Sequence, residues 1–464
     1  LLQYCVIYIC LVSKRGVYRL DDDVITFYDD VVVKDSAFIL IADSLRFNTT
    51  TRLVTFISPT RITTDSSEIY CESGEYSLTT RDGYFSGNPQ FDNNNQQSTA
   101  DVITFKQSTG VINLVGDAKI IGEDQYAEAI EINYNTKTKD IELEGDAYYR
   151  EGTDEVRGDL VRYNENTKVY TTSGRSRVNT PPMIIDADNL SFDKASGLGK
   201  AIGNVIWQDT SANISISTTQ AEYIQAEEYF KAYGNRPLFA SDVEGDSLFL
   251  SADTLINNRV VILDSVRVDT TDQYLITSDT AQILKAFFDV RIFKSNFQAI
   301  CDSLIYNQED SLFYLYKDPI VWSDTSQFVA DTIKIRMEND EIHRIYLIDN
   351  AFIINSPDEI LFNQVKGRKI TAYFDNGEIE KMHVEGNAET VYYALDETNN
   401  YIGVNKTESS EMIIFFNKNE ITRIKFLDPD ANLLPIRKTD HEGLKIEGFN
   451  WKITERPKSV ADLK

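Results

Sequence analysis

The side chains that most often carry out chemistry in proteins are few in this sequence of 464 residues. Its histidines and cysteines are His343, His383, His441, Cys5, Cys10, Cys71 and Cys301. The cysteines form no CxxC pair, and no histidine follows them at the spacing of a zinc site. The motifs GxSxG and HExxH, the P-loop and the dinucleotide fingerprint are also absent from the sequence. The sequence therefore predicts no catalytic residue, no metal site and no cofactor, and we expect a protein that is not an enzyme.

One acidic position recurs and would suit a ladder of calcium sites. It is the second residue of a six-residue phrase that reads small, acidic, any, apolar, any, aromatic or apolar. Its aspartates are Asp43, Asp101, Asp188, Asp253, Asp302 and Asp331. Calcium usually needs several oxygen ligands that converge within a short loop, and the copies lack a glycine-rich nonapeptide. We therefore interpret these residues as carboxylates that face water at turns or strand ends.

The six-residue phrase is itself the main organising feature of the sequence. Its copies begin at Ala42, Cys71, Ala100, Ala127, Gly158, Ala187, Ala252, Ser278, Cys301, Ala330 and Gly367, with weaker copies near Thr218 and Ser410. The first six of these copies follow one another at nearly constant steps. Spacing this regular is typical of a repeat architecture, and it predicts about thirteen units of about 29 residues.

A second phrase follows each copy after a polar turn, and it alternates apolar and polar residues. In the segment that begins at Ile141, every second residue is apolar or glycine. Period-two alternation is typical of a strand with one buried face, so each unit contributes two strands and the fold class is all-β. The inward-facing residues predicted to line an apolar groove are Ile112, Leu114, Ala118, Ile120, Ile141, Leu143, Ala147, Tyr149, Ala201, Val205, Trp207, Val384 and Ala388.

Small residues recur in the middle of these strands, as at Gly116, Gly145, Gly203 and Gly386. They would let two sheets approach closely, or they would leave room for an apolar guest, and both interpretations stay open. An interior filled by the protein's own side chains is equally compatible with the pattern. Two cysteines, at positions 71 and 301, occupy the small first position of the phrase. We therefore expect them to be buried small residues that do not form a disulfide with each other.

Composition excludes some partners. The 73 acidic and 46 basic residues give a formal charge of −27, which disfavours nucleic acid and an anionic membrane surface. Helical signal is nearly absent, with residues 226–233 as the best candidate. We interpret Leu1–Val12 as a strand of an incomplete first repeat in a chain that lacks its natural N-terminus, rather than as part of a signal peptide.

The repeats predict one continuous array over residues 1–432, followed by a C-terminal cap or tail over residues 433–464. An array of this kind ends in unpaired strand edges. Such edges predict head-to-tail self-assembly or pairing with another β-sheet protein.

The array resembles the OstA/LptA family of lipopolysaccharide transport proteins. The resemblance lies in the phrase Ala187–Phe192 followed by Ala201–Val205, and it covers nearly the whole chain. It is strongest to the long OstA-like proteins of Bacteroidota. The segments that carry this second likeness are Phe293–Ser295, Cys301–Tyr306, Val321–Asp324, Ile402–Lys406, Gly448–Trp451 and Arg456–Ser459.

The resemblance implies an elongated, twisted β-jellyroll, open along one side, whose apolar interior takes the acyl chains of lipopolysaccharide. It further implies a periplasmic protein of a Gram-negative envelope that bridges the inner and outer membranes. The implied partners are lipid A, a β-jellyroll anchor at the inner membrane and the lipopolysaccharide translocon of the outer membrane. The chain departs from the family in being longer than the short periplasmic bridge protein and in lacking a visible signal peptide.

Two other classes of function remain. A structural or adhesive envelope protein would fill the interior with large side chains and carry no lipid, and the recurring glycine and alanine count against it. An enzyme on a β-solenoid scaffold, such as a polysaccharide lyase, would need an irregular cluster of acids and bases in one groove. The sequence contains no such cluster.

Overall fold

The computed structural model describes residues 2–6, 9–93, 95–211, 213–243, 246–267, 274–307, 309–339, 341–396, 398, 400–417 and 420–464. The chain forms two compact units, Leu1–Thr210 and Ser211–Lys464. Throughout the described residues the secondary structure is antiparallel strand, interrupted by turns and a few short 3-10 helices. The prediction of an all-β fold is confirmed, whereas the single array over residues 1–432 stays a prediction.

In the first unit, hairpins and short strand pairs precede a run of seven longer strands. The strands are β1 Leu2–Val6, β2 Ile9–Ser13, β3 Arg15–Arg19, β4 Val24–Lys34, β5 Ile39–Asn48, β6 Leu53–Phe56, β7 Thr60–Thr63, β8 Ser67–Cys71, β9 Ser73–Ser77, β10 Gly83–Ser86, β11 Gln90–Asn93, β12 Gln96–Thr99, β13 Val102–Lys106, β14 Val111–Gly122, β15 Gln125–Asn135, β16 Asp140–Glu151, β17 Asp154–Asn164, β18 Val169–Thr180, β19 Met183–Asp193 and β20 Leu198–Asp209.

In the second unit the strands vary more in length. They are β21 Ile214–Ile224, β22 Tyr229–Tyr233, β23 Leu238–Val243, β24 Asp246–Ser251, β25 Thr254–Arg267, β26 Tyr274–Phe293, β27 Gln298–Asn307, β28 Leu312–Tyr316, β29 Ile320–Ser323, β30 Ser326–Val329, β31 Thr332–Glu338, β32 Glu341–Asn355, β33 Asn363–Asp375, β34 Glu378–Leu395, β35 Tyr401–Asn417, β36 Glu420–Leu427 and β37 Asp430–Leu434. The 3-10 helices are Gln225–Glu227, Ile436–Lys438, Ile453–Glu455 and Val460–Leu463. The candidate helix at 226–233 is thus one 3-10 turn followed by β22.

Each long strand of the first unit is divided by a β-bulge. Between β16 and β17, Glu144 pairs with Leu160 and Ala147 pairs with Gly158, so Gly145 and Asp146 together lie opposite one residue. A register shift of one residue likewise occurs in each of the other pairings from β14 to β20. The bulges separate two ladders of backbone hydrogen bonds. We call the ladder that contains residues 140–144 the first ladder, and the ladder that contains residues 147–151 the second ladder.

The two ladders fold over each other. The ring of Tyr149, in the second ladder, lies 5.9 Å from the ring of Tyr163, which pairs in the first ladder with Ile141. Ile141 and Tyr149 are eight residues apart on β16, and a straight strand of that length spans about 26 Å. The strand must therefore bend sharply at its bulge, which encloses an interior between the ladders.

The backbone at the bulge explains the recurring glycines. Gly116, Gly145, Gly174 and Gly203 have φ between 77° and 82° and recur at one constant step along the chain. Left-handed backbone of this kind costs other residues energy because of Cβ contacts, and glycine avoids that cost. The residues that directly follow three of these glycines are Asp117, Asp146 and Asn204, and aspartate and asparagine tolerate left-handed backbone. Backbone conformation at the bend therefore decides the glycine positions, rather than close approach of sheets or room for a guest.

The structure corrects one copy of the six-residue phrase. Ile130 lies against the bulge at Gly145, because a Cβ on that glycine would come within 2.7 Å of the Ile130 Cδ1. The copy therefore begins at Ala129 rather than at Ala127, where the sequence pattern placed it. With this change, the copies from Ala42 to Ala187 all follow one another at the same step as the bulge glycines.

Three of the recurring aspartates, Asp101, Asp253 and Asp331, lie at bends just before a strand, as expected, whereas Asp43, Asp188 and Asp302 lie within strands. The Asn204 side-chain amide donates to the Asp188 carboxylate at 2.8 Å, and the Asn350 amide donates to Asp331 at 3.0 Å. The aspartate of the six-residue phrase is therefore a neighbour, across the ladder, of the glycine or asparagine in the strand that follows. These residues fix the bend together.

The second unit has a third layer. Ile320, Val321 and Trp322 are all buried, as are the four consecutive residues 351–354. Because neighbouring side chains of a strand point to opposite faces, such runs mean that both faces are covered. Leu444 and other apolar side chains of residues 435–464, which we call the C-terminal tail, pack against these strands.

Buried glutamines hold the tail in place. The Gln327 amide donates to the Asn450 carbonyl at 2.7 Å, and its oxygen accepts from the Lys452 N–H at 2.7 Å. The Gln364 oxygen likewise accepts from the Ile446 N–H at 2.8 Å. These bonds satisfy backbone groups of the tail, which has no regular ladder of its own there.

The cysteines have structural positions. Cys5 and Cys10 form a disulfide between β1 and β2. Cys71 and Cys301 are buried free thiols, which confirms that they are small buried residues not joined to each other. Burial raises the pKa of both thiols to about 12. In the described part of the chain, no helix is long and apolar enough to cross a membrane.

Candidate functional site

The predicted groove residues face the interior between the ladders. Ten of the thirteen are buried: Leu114, Ala118, Leu143, Ala147, Tyr149, Ala201, Val205, Trp207, Val384 and Ala388. The other three, Ile112, Ile120 and Ile141, are half-buried and pack against the same apolar cluster as the first five of these. Val384 and Ala388 belong to the second unit. Whether any of them contacts lipid stays a prediction.

Sequence reasoning missed part of this interior. Ile132, Val161, Tyr163 and Tyr170 lie in the same buried cluster. A signal for Ile132, Val161 and Tyr163 was present, because the fourth and sixth residues of the six-residue phrase point inward in the first ladder. Tyr170 had a different signal, because it stands one repeat after Ile141, which alternation in the second phrase had assigned inward.

At the far ends of the ladders, aromatic rings close the interior. The rings of Tyr163 and Tyr170 stack with centroids 4.2 Å apart in the first ladder. Tyr149 approaches both from the second ladder, at 5.9 Å and 5.6 Å. Aromatic pairs at these distances attract each other beyond their burial. Three rings therefore bridge the two ladders at this point.

A carboxylate and an ammonium bridge the same place. Glu151, at the end of β16, accepts a hydrogen bond from the Tyr170 hydroxyl at 2.8 Å and one from the Lys194 ammonium at 2.5 Å. It also accepts one from the Tyr149 hydroxyl at 3.3 Å. Lys194 lies in the turn after β19, with its ammonium 5.1 Å from the ring centre of Tyr170. We call these five residues (Tyr149, Glu151, Tyr163, Tyr170 and Lys194) the clasp.

The electrostatics of the clasp favour a charged carboxylate and neutral phenols. Burial of the Glu151 carboxyl alone would raise its pKa, but the hydrogen bonds from Lys194 and Tyr170 outweigh burial and lower it. Burial raises the pKa of Tyr149 and of Tyr170, and the neighbouring phenols and carboxylate add to the rise for Tyr170. At neutral pH the clasp is thus held by an ion pair and by phenol hydroxyl donors.

The interior of the first unit has little free space at this end. A cleft lined by Ile120, Ile141 and Tyr149, among other residues, has a volume of about 30 Å³. That is room for about one water molecule. An acyl chain could enter here only if the ladders separated.

The second unit contains a larger cavity. Its volume is about 170 Å³, and it lies at the far ends of β27 and β28, where the rings of Tyr306 and Phe313 stack 4.0 Å apart. It is lined by Ser241, Leu248, Lys294, Phe297, Tyr306, Ser311, Phe313, Met337, Glu338 and Asn339. Its lining is mixed, because Lys294, Glu338 and Asn339 lie beside Leu248 and the rings of Phe297 and Phe313, so it is not a purely apolar compartment.

The three histidines contact three different partners. The imidazoles of His343 and His383 lie 3.2 Å and 2.6 Å from single glutamate oxygens, and His441 contacts the Tyr393 hydroxyl at 3.2 Å. Among the residues that the structure describes, no group of three or more His, Cys, Asp or Glu side chains could hold a metal ion.

Two segments match known protein families. Residues 8–101 match the OstA-like protein family, and residues 119–169 match the family of the LptA and LptD N-terminal domain, described as lipopolysaccharide transport proteins. These two segments are OstA/LptA-like. The resemblance inferred from the repeats is therefore confirmed, while the likeness to Bacteroidota proteins stays a prediction.

Other comparisons add less to this OstA/LptA-like assignment. A crystal structure of LptH, the LptA-homologous periplasmic component of the lipopolysaccharide transport device of Pseudomonas aeruginosa, shares 13% identity with this chain. The match covers 30% of this chain and 82% of LptH at a TM-score of 0.16, which is too low to support an inference. No curated protein sequence matches significantly. The matched families are lipopolysaccharide transport proteins of the Gram-negative envelope, not enzymes.

Proposed function

We propose that this chain carries lipopolysaccharide across the periplasm by holding the acyl chains of lipid A between its two ladders. The observation that carries the proposal is the folding of bulged strands, at regular intervals, around a continuous apolar interior. That interior begins in the N-terminal strands and continues into β18, with Leu114, Leu143 and Val161 all at or below 1% exposure. The matched families supply the lipid class.

The energetics of such a site are favourable. Transfer of a methylene group from water to an apolar interior gains about 0.8 kcal/mol, so an acyl chain of a dozen carbons gains about 10 kcal/mol before the cost of opening the ladders. Near the bends, buried alanines at positions 118, 147 and 201 present only a methyl group to the interior. Such a lining accepts a chain without requiring a specific polar contact.

The charge and the partners fit the same proposal. A formal charge of −27 repels phosphates, so the phosphorylated sugars remain outside the interior while the acyl chains enter it. We further propose periplasmic location, docking to a β-jellyroll anchor of the inner membrane and to the outer-membrane translocon, and end-to-end pairing of strand edges.

A second candidate is a structural envelope protein whose interior is permanently filled. The small volume of the cleft in the first unit, about 30 Å³, favours it. The regular bulged strands around an apolar interior, together with the matched families, favour the carrier.

Lipid analysis of the full-length protein separates the two candidates. The protein would be purified in mild detergent from its native envelope fraction, and bound lipids would be identified by mass spectrometry. A carrier retains lipid A species at a fixed ratio to protein. A folded protein that holds none, and takes up none when lipopolysaccharide is added, is a filled structural protein.

Point variants locate the lipid. We expect Leu143→Asp and Val205→Asp to reduce lipid loading strongly, because each places a carboxylate in the apolar interior. Since these changes also threaten folding, Ile141→Asp at a half-buried position provides a milder variant. Glu142→Lys changes charge on the outer face of the same strand and serves as the control. Equal loading of all folded variants would refute the interior as the lipid site.

A further inference from the structure

We infer that the clasp is a gate: it holds the two ladders of the first unit together and must open before an acyl chain enters. This inference rests on the proposed function, because it assigns the step that controls access to the same interior. The clasp joins residues of β16, β17 and β18 with Lys194 of the turn after β19.

The clasp connects the ladders at their far ends. Glu151 ends the second-ladder half of β16, whereas Tyr170 lies in the first ladder, where it pairs with Tyr163. The ladders also share their bulges, where the backbone is continuous. Bonds at the far ends therefore oppose any rotation of one ladder away from the other about the bulges.

The chemistry of the clasp suits a contact that opens and reforms. Its ion pair joins two side chains that are about 30% exposed, so water replaces that pair at small cost. The rings of Tyr149, Tyr163 and Tyr170 are buried, so opening exposes them to water. Fully apolar contacts at the same place would cost more to separate, because each would expose surface to water. The clasp thus gives a closed resting state in which the ion pair is released readily and the three buried rings resist opening.

The clasp is not repeated in the preceding repeat of the array. One repeat earlier, the positions of Glu151, Tyr170 and Lys194 are held by Gly122, Ile141 and Glu165. Gly122 has no carboxylate to take the place of Glu151, and Glu165 has no ammonium to take the place of Lys194. The bridging set therefore does not recur in the neighbouring repeat, as a requirement of the fold itself would.

Space explains why opening is needed. Beside the clasp the free volume is about 30 Å³, and the interior side chains Ile132, Leu143 and Val161 are fully buried. An acyl chain cannot pass beside side chains packed this closely. Separation of the ladder ends creates the entrance, and the acyl chain then passes the stacked tyrosines.

The test measures the rate of lipid association with the full-length protein. The probe is hexa-acylated lipid A with a fluorophore on its sugar, presented in detergent and followed by stopped-flow fluorescence. Glu151→Gln and Tyr170→Phe each weaken the clasp with little change of shape. We expect about a threefold to tenfold faster association and a correspondingly lower apparent Kd, because the binding-competent open state becomes more populated.

Glu142→Gln is a matched control. It makes the same change on the same strand, in an ion pair with Arg162 of the same 2.5 Å length and with 34% exposure of the glutamate side chain against 31% for Glu151. Its pair lies on the outer face, so we expect an unchanged association rate. Hydrogen exchange of amides 147–151 without lipid shows independently whether Glu151→Gln opens the ladder ends.

Each outcome has one meaning. If amides 147–151 exchange faster in Glu151→Gln but lipid associates at the wild-type rate, the clasp is not a gate although the carrier function stands. If both clasp variants load lipid more slowly than the control, the clasp positions lipid rather than excluding it, and the inference is wrong. If wild-type protein and all variants bind no lipid A, the proposed function itself fails.

Discussion

Substitution of Gly203 by alanine tests the structural basis of the repeat. Gly203 has a φ of 80°, and left-handed backbone costs a residue with a Cβ about 1–2 kcal/mol. The new Cβ would also lie 2.5 Å from the Asp188 Oδ2 atom, so that carboxylate must move away from its 2.8 Å bond with Asn204. Loss of such a bond costs about 1 kcal/mol. We therefore expect a local destabilisation of about 2–3 kcal/mol.

Hydrogen exchange with mass spectrometry measures this effect in the first unit alone. In peptides that cover residues 183–209, a destabilisation of about 2–3 kcal/mol makes exchange about 30- to 150-fold faster, since each 1.4 kcal/mol is a factor of ten. A global melting curve is less suitable, because a chain with two compact units need not unfold in one step.

Gly152→Ala is the matched control for backbone strain. Gly152 has a φ of 61°, and a Cβ added there would meet nothing within 4 Å. Alanine at this turn carries the conformational cost of about 1–2 kcal/mol without the contact. Equal exchange in wild type and Gly203→Ala, or a larger effect of Gly152→Ala, would refute the assignment of these glycines to the bend.

Three further predictions concern the tail, pH and the thiols. Gln327→Leu leaves tail backbone groups without partners, so we expect about 2–4 kcal/mol less protection of tail amides in hydrogen exchange, whereas Gln97→Leu, a half-buried glutamine of the first unit, leaves them unchanged. The lowered pKa of Glu151 means that its bonds stabilise the clasp at neutral pH and are lost as pH falls below 4.5 and through the folded value; protection of amides 147–151 should drop there in wild type but not in Glu151→Gln. Cys71 and Cys301, with pKa values of about 12, should resist maleimide in the folded protein and react after denaturation; rapid labelling of the native chain would contradict their burial.

The interior of the first unit was largely predictable from the sequence. Leu143, Ala147 and Tyr149 were assigned inward from alternation alone, and all three are buried. Alternation survives the bulge on β16 because Leu143 and Ala147 are an even number of residues apart and both point inward, while the partner strand has one residue fewer between the paired positions. The glycine between them was recognised as exceptional, but its reason, a positive φ at a bend, depends on how the strand pairs with its neighbours.

The misplaced copy at Ala127 shows the limit of pattern matching. Two overlapping phrases, beginning at Ala127 and at Ala129, satisfy the same pattern of small and apolar residues, and the acidic second position favoured the wrong one. The pairing register decides between them, because Ile130 and not Glu128 lies opposite the bulge.

Local rules determined the all-β class, the repeat period and the inward-facing positions, because alternation and turn chemistry act between residues close in sequence. Only the tertiary structure decided that Glu151 meets Lys194, 43 residues away, and that the C-terminal tail covers an apolar face of the second unit. Such contacts depend on the angle at which each bulge bends its strand, and small angles accumulate over many strands. No short segment of sequence encodes their sum.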